Sequence, residues 1–162
     1  VLTGNDKAEK IYLNAGFVND RKVSSFSGAV LPFLADGIVL KTNPVIDWNH
    51  VKTFCDIEAT WQNGFPAILR TIDFHEVVGA YCDDELVGFA VFDPIGGRLK
   101  HFGVRKDMRR KGIGRSLFAY VSEKVGKVIF TNYDLSDTNA LAFFRALQLE
   151  PGYELIEMRL AY

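Results

Sequence analysis

Apolar residues near the start of the chain recur at helical spacing: Ala8, Ile11, Tyr12 and Ala15 share one face behind a capping residue at Asn5. Gly16 follows where a helix commonly ends in left-handed backbone. Residues 17–31 alternate loosely through Val23, Phe26 and Val30, which predicts a strand, and Pro32, Asp36 and Gly37 mark a linker. A strand over 37–41 ends at Asn43-Pro44. Asp47 then caps a helix carrying Val51, Phe54, Cys55 and Trp61 on one face and stopping at Asn63-Gly64. Residues 66–72 predict a second short helix, and Trp48, Phe54, Trp61 and Phe65 are expected in the core.

The pattern then switches to short alternating runs. Val77 to Tyr81, Leu86 to Phe92 and Leu99 to Val104 are separated by Asp83-Asp84 and by Pro94-Ile95-Gly96-Gly97, which predicts an antiparallel meander. Ile113, Leu117, Val121 and Val125 restore a helical period. A strand over 127–133, a helix over 137–148 and a strand over 153–160 complete the chain. From residue 37 the order is β, α, α, β, β, β, α, β, α, β. That order predicts a mixed α+β fold, a central, mostly antiparallel sheet flanked by helices.

Composition narrows the class without changing this picture. The 162 residues are 48% hydrophobic and 24% charged, which fits one globular domain with an appendage and excludes collagen-like and disordered chains. Nineteen Lys and Arg oppose twenty Asp and Glu, so the net charge of −1 gives no global attraction to nucleic acid or membrane. Cys55 and Cys82 lack a second Cys or His at ligand spacing and read as small buried hydrophobes, with no metal site. No apolar run approaches the ~18 residues of a membrane helix. Asp6, Lys7, Glu9 and Lys10 interrupt any signal-peptide core. The expectation is a cytoplasmic protein.

Local charge is less even. Lys100, Arg105, Lys106, Arg109, Arg110, Lys111 and Arg115 cluster around the end of one strand and the start of the next helix, with only Asp107 opposing them in sequence. Amides at a helix N-terminus and the positive end of its dipole form an anion site. Gly112 and Gly114 would let a pyrophosphate approach without meeting a Cβ. The run is not a Walker A loop, because no Gly-Lys-Ser/Thr ends it. It is a poor dinucleotide fingerprint, because Leu117 stands where a third small residue belongs. A solvated basic helix start is the plain structural alternative. A nucleic-acid module is disfavoured, since no aromatic platform interleaves the cluster.

The spacing Arg109-x-x-Gly112-x-Gly114 resembles the acetyl-CoA pyrophosphate loop of the GNAT N-acetyltransferase family, Arg/Gln-x-x-Gly-x-Gly/Ala, and the element order over 37–162 resembles that fold. The resemblance implies a sheet splayed between its fourth and fifth strands, with acetyl-CoA as cosubstrate and no metal. Amides of Phe102, Gly103 and Val104 would meet the pantetheine and acetyl carbonyl. The turn of Arg109, Arg110, Lys111, Gly112, Ile113, Gly114 and Arg115 would hold the pyrophosphate, and Asp137 and Phe144 would border the cofactor. The implied chemistry is direct attack of a primary amine on the thioester. The alternative is a non-catalytic acyl-CoA-binding or regulatory domain.

The family's closing helix reads Asn-x-x-Ala-x-x-x-Tyr-x-x-x-Gly-Phe. At those positions stand Asp137, Ala140, Phe144, Gln148 and Leu149, so Phe replaces the tyrosine that serves as general acid. The complete motif stands 132 residues earlier, at Asn5, Ala8, Tyr12, Gly16 and Phe17. Residues 1–33 therefore resemble the end of a preceding GNAT domain. They are expected to pack outside the sheet of 37–162 or against a partner chain in a homodimer. His101 as base and Tyr133 as acid are the candidate catalytic residues, with strand packing the alternative role for each.

Overall fold

The computed structural model describes residues 1–160. In chain order these form α1 (Asp6–Asn14), β1 (Phe17–Gly28), β2 (Val39–Thr42), α2 (Trp48–Val51) prolonged by a 3-10 turn (Lys52–Phe54), and α3 (Phe65–Arg70). There follow β3 (Glu76–Cys82), β4 (Glu85–Phe92), β5 (Arg98–Val104), α4 (Ile113–Val125), β6 (Val128–Asp134), α5 (Thr138–Ala146) and β7 (Glu150–Leu160). From residue 37 onward the order of elements matches the one read from the sequence. Among the described residues no helix is long and apolar enough to cross a membrane.

The seven strands form one sheet in the order β2-β3-β4-β5-β6-β1-β7. All neighbours are antiparallel except β5 and β6, which pair in parallel only at Arg98–Ile129 and Leu99–Phe130 and then diverge. Period-two alternation sends side chains of one strand to two cores. From β4, Phe89 and Val91 join Val51, Phe54 and Ile68 under α2 and α3. Ala90 and Phe92 join Leu117, Phe118, Phe130 and Phe144 under α4 and α5.

The N-terminal segment does not lie outside this sheet. β1 sits between β6 and β7, and Val23, Ser24 and Phe26 on it are buried. The stretch read as a linker is a strap across α4: the amides of Val30 and Ala35 donate to Ser122 Oγ and Ser116 Oγ at 2.8 and 2.9 Å, and both residues are buried. Pairing with strands that lie 100 or more residues further along the chain leaves no local sequence signal, which is why the break at Pro32–Gly37 reads as a boundary.

The helix expected from Asp47 to Asn63 is also shorter. Asp47 does cap it, accepting from the amides of Asn49 and His50, but Cys55 is extended and ends the 3-10 turn. Trp61, expected in the core, is 73% exposed. The carbonyls released by the early stop are used elsewhere: Arg109 donates to Phe54 O, and Arg21 donates to Glu58 O and Ala59 O. Side chains distant in sequence thus override helical periodicity over 55–63.

Candidate active site

Where β5 and β6 part, they leave a cleft of about 650 Å³. His101, Phe102, Gly103 and Val104 form one wall, from the edge of β5 that β6 no longer pairs. Phe130, Asn132 and Tyr133 of β6, with Asp137, Ala140 and Phe143 from α5 and its cap, form the other. A strand edge facing a cavity presents amides and carbonyls that need partners, as at any unpaired edge.

The basic turn closes one end. Arg110 and Gly112 both have positive φ (62° and 82°), which points the intervening backbone into a tight loop before α4. Gly112 is the N-cap and supplies no side-chain acceptor, so the first amides of α4, at Ile113, Gly114 and Arg115, lack a capping partner. Arg110, Gly112, Ile113, Gly114 and Arg115 all line the cleft. These are the residues that the sequence offered as an anion site.

The charges around it are more nearly balanced than the sequence suggests. Arg105 pairs with Glu85 and Asp107 at 2.9 and 2.8 Å, and Lys106 with Asp56 at 3.5 Å. Arg109 is occupied by Asp56 and by the carbonyls of Val104 and Phe54, so its guanidinium braces the turn against the 54–56 loop. The Arg109 contact holds the Asp56 carboxyl below its ordinary value against the opposing effect of burial. Lys100 stands near Asp93, away from the cleft. Arg115 covers the Phe33 ring at 4.4 Å. Arg110 and Lys111 form no ion pair among the described residues, though Lys111 does not line the cleft.

The two glycines have reasons other than an open approach for phosphate. A Cβ on Gly112 would meet Phe33 at 2.9 Å and Ala35 at 3.2 Å, and φ there is 82°. A Cβ on Gly114 would meet the Phe143 ring at 3.0 Å. Gly112 therefore admits the strap of residues 30–35, and Gly114 admits α5.

At the other end of the cleft lie the titratable candidates. His101 is buried, its Nε2 is 3.3 Å from Cys55 Sγ, and burial pushes its pKa down to about 4. Burial, reinforced by Asp56, pushes the Cys55 thiol up to about 11. Both are neutral near pH 7. Tyr133 donates its hydroxyl to Asp137 Oδ2 at 2.8 Å, and burial together with that carboxylate raises the phenol far above its ordinary value. Asp137 also accepts from Ala140 N, capping α5.

Phe144 does not line the cleft. Its ring is fully buried against Phe26, Phe102, Phe118, Phe130 and Tyr133, and Phe143 supplies the exposed wall instead. The remaining predicted residues, from His101 to Val104, Arg109 to Asp137, converge on the cleft apart from Lys111. Sequence reasoning missed Cys55, Asp56 and Thr60. Thr60 is buried with Oγ1 unpartnered, and with Asn132 it is shared between this cleft and a second cavity of about 440 Å³. Arg21 was also missed: it binds Asp134 and Glu157 while holding the 58–59 carbonyls, joining β1 to both strands and to the cleft's rim. Lying in a run of polar residues, it carried no sequence signal.

Residues 73–148, which span the meander, the basic turn and α5, match the family model described as acetyltransferase (GNAT) domain. Over those residues the chain is similar to GNAT acetyltransferases. Its fold is shared with a GCN5-related N-acetyltransferase from Sphaerobacter thermophilus (TM-score 0.61, 16% identity, 98% of this chain and 57% of that one). It is also shared with one from Kribbella flavida (0.62, 15%, 93% and 62%) and with a tandem GNAT protein from the clavulanic acid biosynthesis pathway (0.60, 15%, 95% and 58%). The chain thus spans about 60% of the length of these GNAT structures. No curated protein matches it.

Proposed function

We propose that this chain carries a GNAT domain that binds acetyl-CoA and transfers the acetyl group to a primary amine by direct attack on the thioester. The observation that carries the reading is the uncapped start of α4 at the mouth of the β5–β6 cleft. In this reading the amides of Arg110 to Gly114, with the Arg110 and Arg115 charges, hold the pyrophosphate. The pantetheine arm lies between β5 and β6. Amides on the open edge of β5 near Phe102–Val104 stabilise the carbonyl oxygen as charge builds on it. Asp137 and Phe143 border the arm, with Phe144 behind them. The amine nitrogen attacks, the C–S bond breaks, and the amine loses a proton to water or to neutral His101, a weak base at its lowered pKa. The departing thiolate needs little acid assistance near pH 7, since an ordinary thiol pKa is about 8.5. Residues 1–33 are the closing helix and strand of a preceding GNAT domain.

One observation favours the second reading, an acyl-CoA-binding domain without turnover: Tyr133, which packs beside Phe144, is committed to Asp137. Calorimetry with CoA tests the shared part. Arg110→Asp with Arg115→Glu is expected to weaken binding more than tenfold with little change in melting temperature; unchanged affinity overturns the assignment. Thiol release over a panel of primary amines then separates the two readings, since a pure binder releases none.

A further inference from the structure

The repeat at an offset of 132 extends beyond the motif into the hydrogen-bond ladders. On β6, Asp134 pairs with Val23 and Tyr133 with Ser24, and the Leu135 amide donates to Lys22 O. On the far edge of β7, Leu2 bridges Leu155, Val1 and Ile156 exchange two hydrogen bonds (2.8 and 2.6 Å), and the Thr3 amide donates to Glu154 O. Subtracting 132 from 134, 133 and 135 gives 2, 1 and 3, and from 155, 156 and 154 gives 23, 24 and 22. The three contacts are the same contacts. The β1–β7 ladder also maps onto itself: Val23–Leu155 is its own equivalent, and the pair Asn19–Met158 beside one bulge becomes Phe26–Pro151 beside the other. A local two-fold axis therefore passes between Val23 and Leu155, relating α1–β1 to α5–β7.

Building on the reading of residues 1–33 given above, we propose that α1 and the outer edge of β7 dock a second domain of the same fold. That domain precedes Val1 in the same polypeptide, is placed by this axis, and shares one continuous sheet with the first. Its counterpart of β6 runs into Val1-Leu2-Thr3 and pairs along β7 beyond Ile156. Its counterpart of α4 covers Ile11 and Tyr12, as α4 here covers Phe143 and Phe144 through Phe118. The exposure of Ile11 (67%) and Tyr12 (44%) fits a helix face awaiting that core. A second copy of this chain cannot take the place in the same way. Its own β6 is already paired on both edges, and residues 1–3 already fill the first register positions on β7.

Amide exchange on the polypeptide that includes the sequence before Val1 tests this against the 162-residue chain alone. The outward amides of β7 alternate, so Met158 faces the edge beyond Ile156 and is free in the shorter chain. Its exchange is expected to slow at least 100-fold in the longer polypeptide, independently of concentration. Ile11→Glu is expected to lower the melting temperature of the longer polypeptide by 5 °C or more and that of the shorter chain by less than 1 °C. Equal exchange in the two forms, an Ile11→Glu effect of the same size in both, or protection that rises with concentration each overturns the proposal. Neither readout involves CoA, so a failed CoA titration refutes the functional reading and leaves this one standing.

Discussion

The units α1–β1 and α5–β7 have the same pattern and opposite surroundings. Each begins with a capping side chain, Asn5 on Ala8 N and Asp137 on Ala140 N, and each runs from a nine-residue helix into a long strand. The strands lie side by side in the sheet. Yet Phe144 is fully buried while Tyr12, its equivalent, is 44% exposed, and α1 buries no residue at all. An amphipathic pattern therefore specifies that a helix has an apolar face; what covers that face is decided by tertiary neighbours.

The sharpest way to break the comparison is to delete one unit. A chain beginning at Asp36 loses β1 from between β6 and β7, together with the strap on α4, and is expected to lose cooperative thermal unfolding altogether. Retention of a sharp transition would make α1–β1 an appendage after all. Next in size, Phe144→Ala is expected to cost about 3–5 kcal/mol, as for other buried aromatic truncations, whereas Tyr12→Ala in this chain should cost less than about 1 kcal/mol in urea titration. Phe144→Tyr buries a hydroxyl in the aromatic cluster and should cost roughly 1–3 kcal/mol; a gain in stability would mean the ring reaches the cleft.

Arg21 ties β1 to one side of the comparison only, through Asp134 and Glu157. Arg21→Met is expected to destabilise by about 1–3 kcal/mol near pH 7. Burial opposes ionisation of Asp134, but hydrogen bonds from Ser136 and Arg21 prevail and hold its pKa below the usual 3.8. Its contribution is thus present above that value and lost as pH falls through the lowered folded value. The variant should show a shallower acid-unfolding slope below pH 4; an unchanged slope would remove Arg21 from the account. The smallest effects concern the caps. Asn5→Ala should cost about 1 kcal/mol or less, and Asp137→Ala more, because Tyr133 also loses its acceptor. Equal losses would show the Tyr133 contact to be neutral.

Much of the cleft could be read from residues close in the chain. Strand 98–104, the Arg109-x-x-Gly112-x-Gly114 turn and helix 113–125 are local, and their period change and glycines located the strand end and helix start that line the cleft. The deeper half could not. Cys55 meets His101 across 46 residues, and Arg109 reaches Asp56 across 53, so neither partner marks the other in sequence. Lys100 reads as part of the basic cluster because it is near in sequence, but it is the extra residue at the bulge of β5 opposite Val91 and Phe92 and stands near Asp93 rather than in the cleft.

The sequence by itself determined the element order, the capped amphipathic helices and the repeat at 132 residues, because each is written in side chains a few positions apart. The place of β1 in the sheet, the early end of the helix after Asp47, and the burial of Phe144 behind the cleft were decided only by the tertiary structure. Backbone hydrogen bonds carry no residue code, so a strand's neighbours follow from which buried faces fit together. Val23 and Phe26 found theirs between β6 and β7. Ile11 and Tyr12, on the apolar face of α1, stay exposed, although the Tyr12 ring meets Phe17 edge-on.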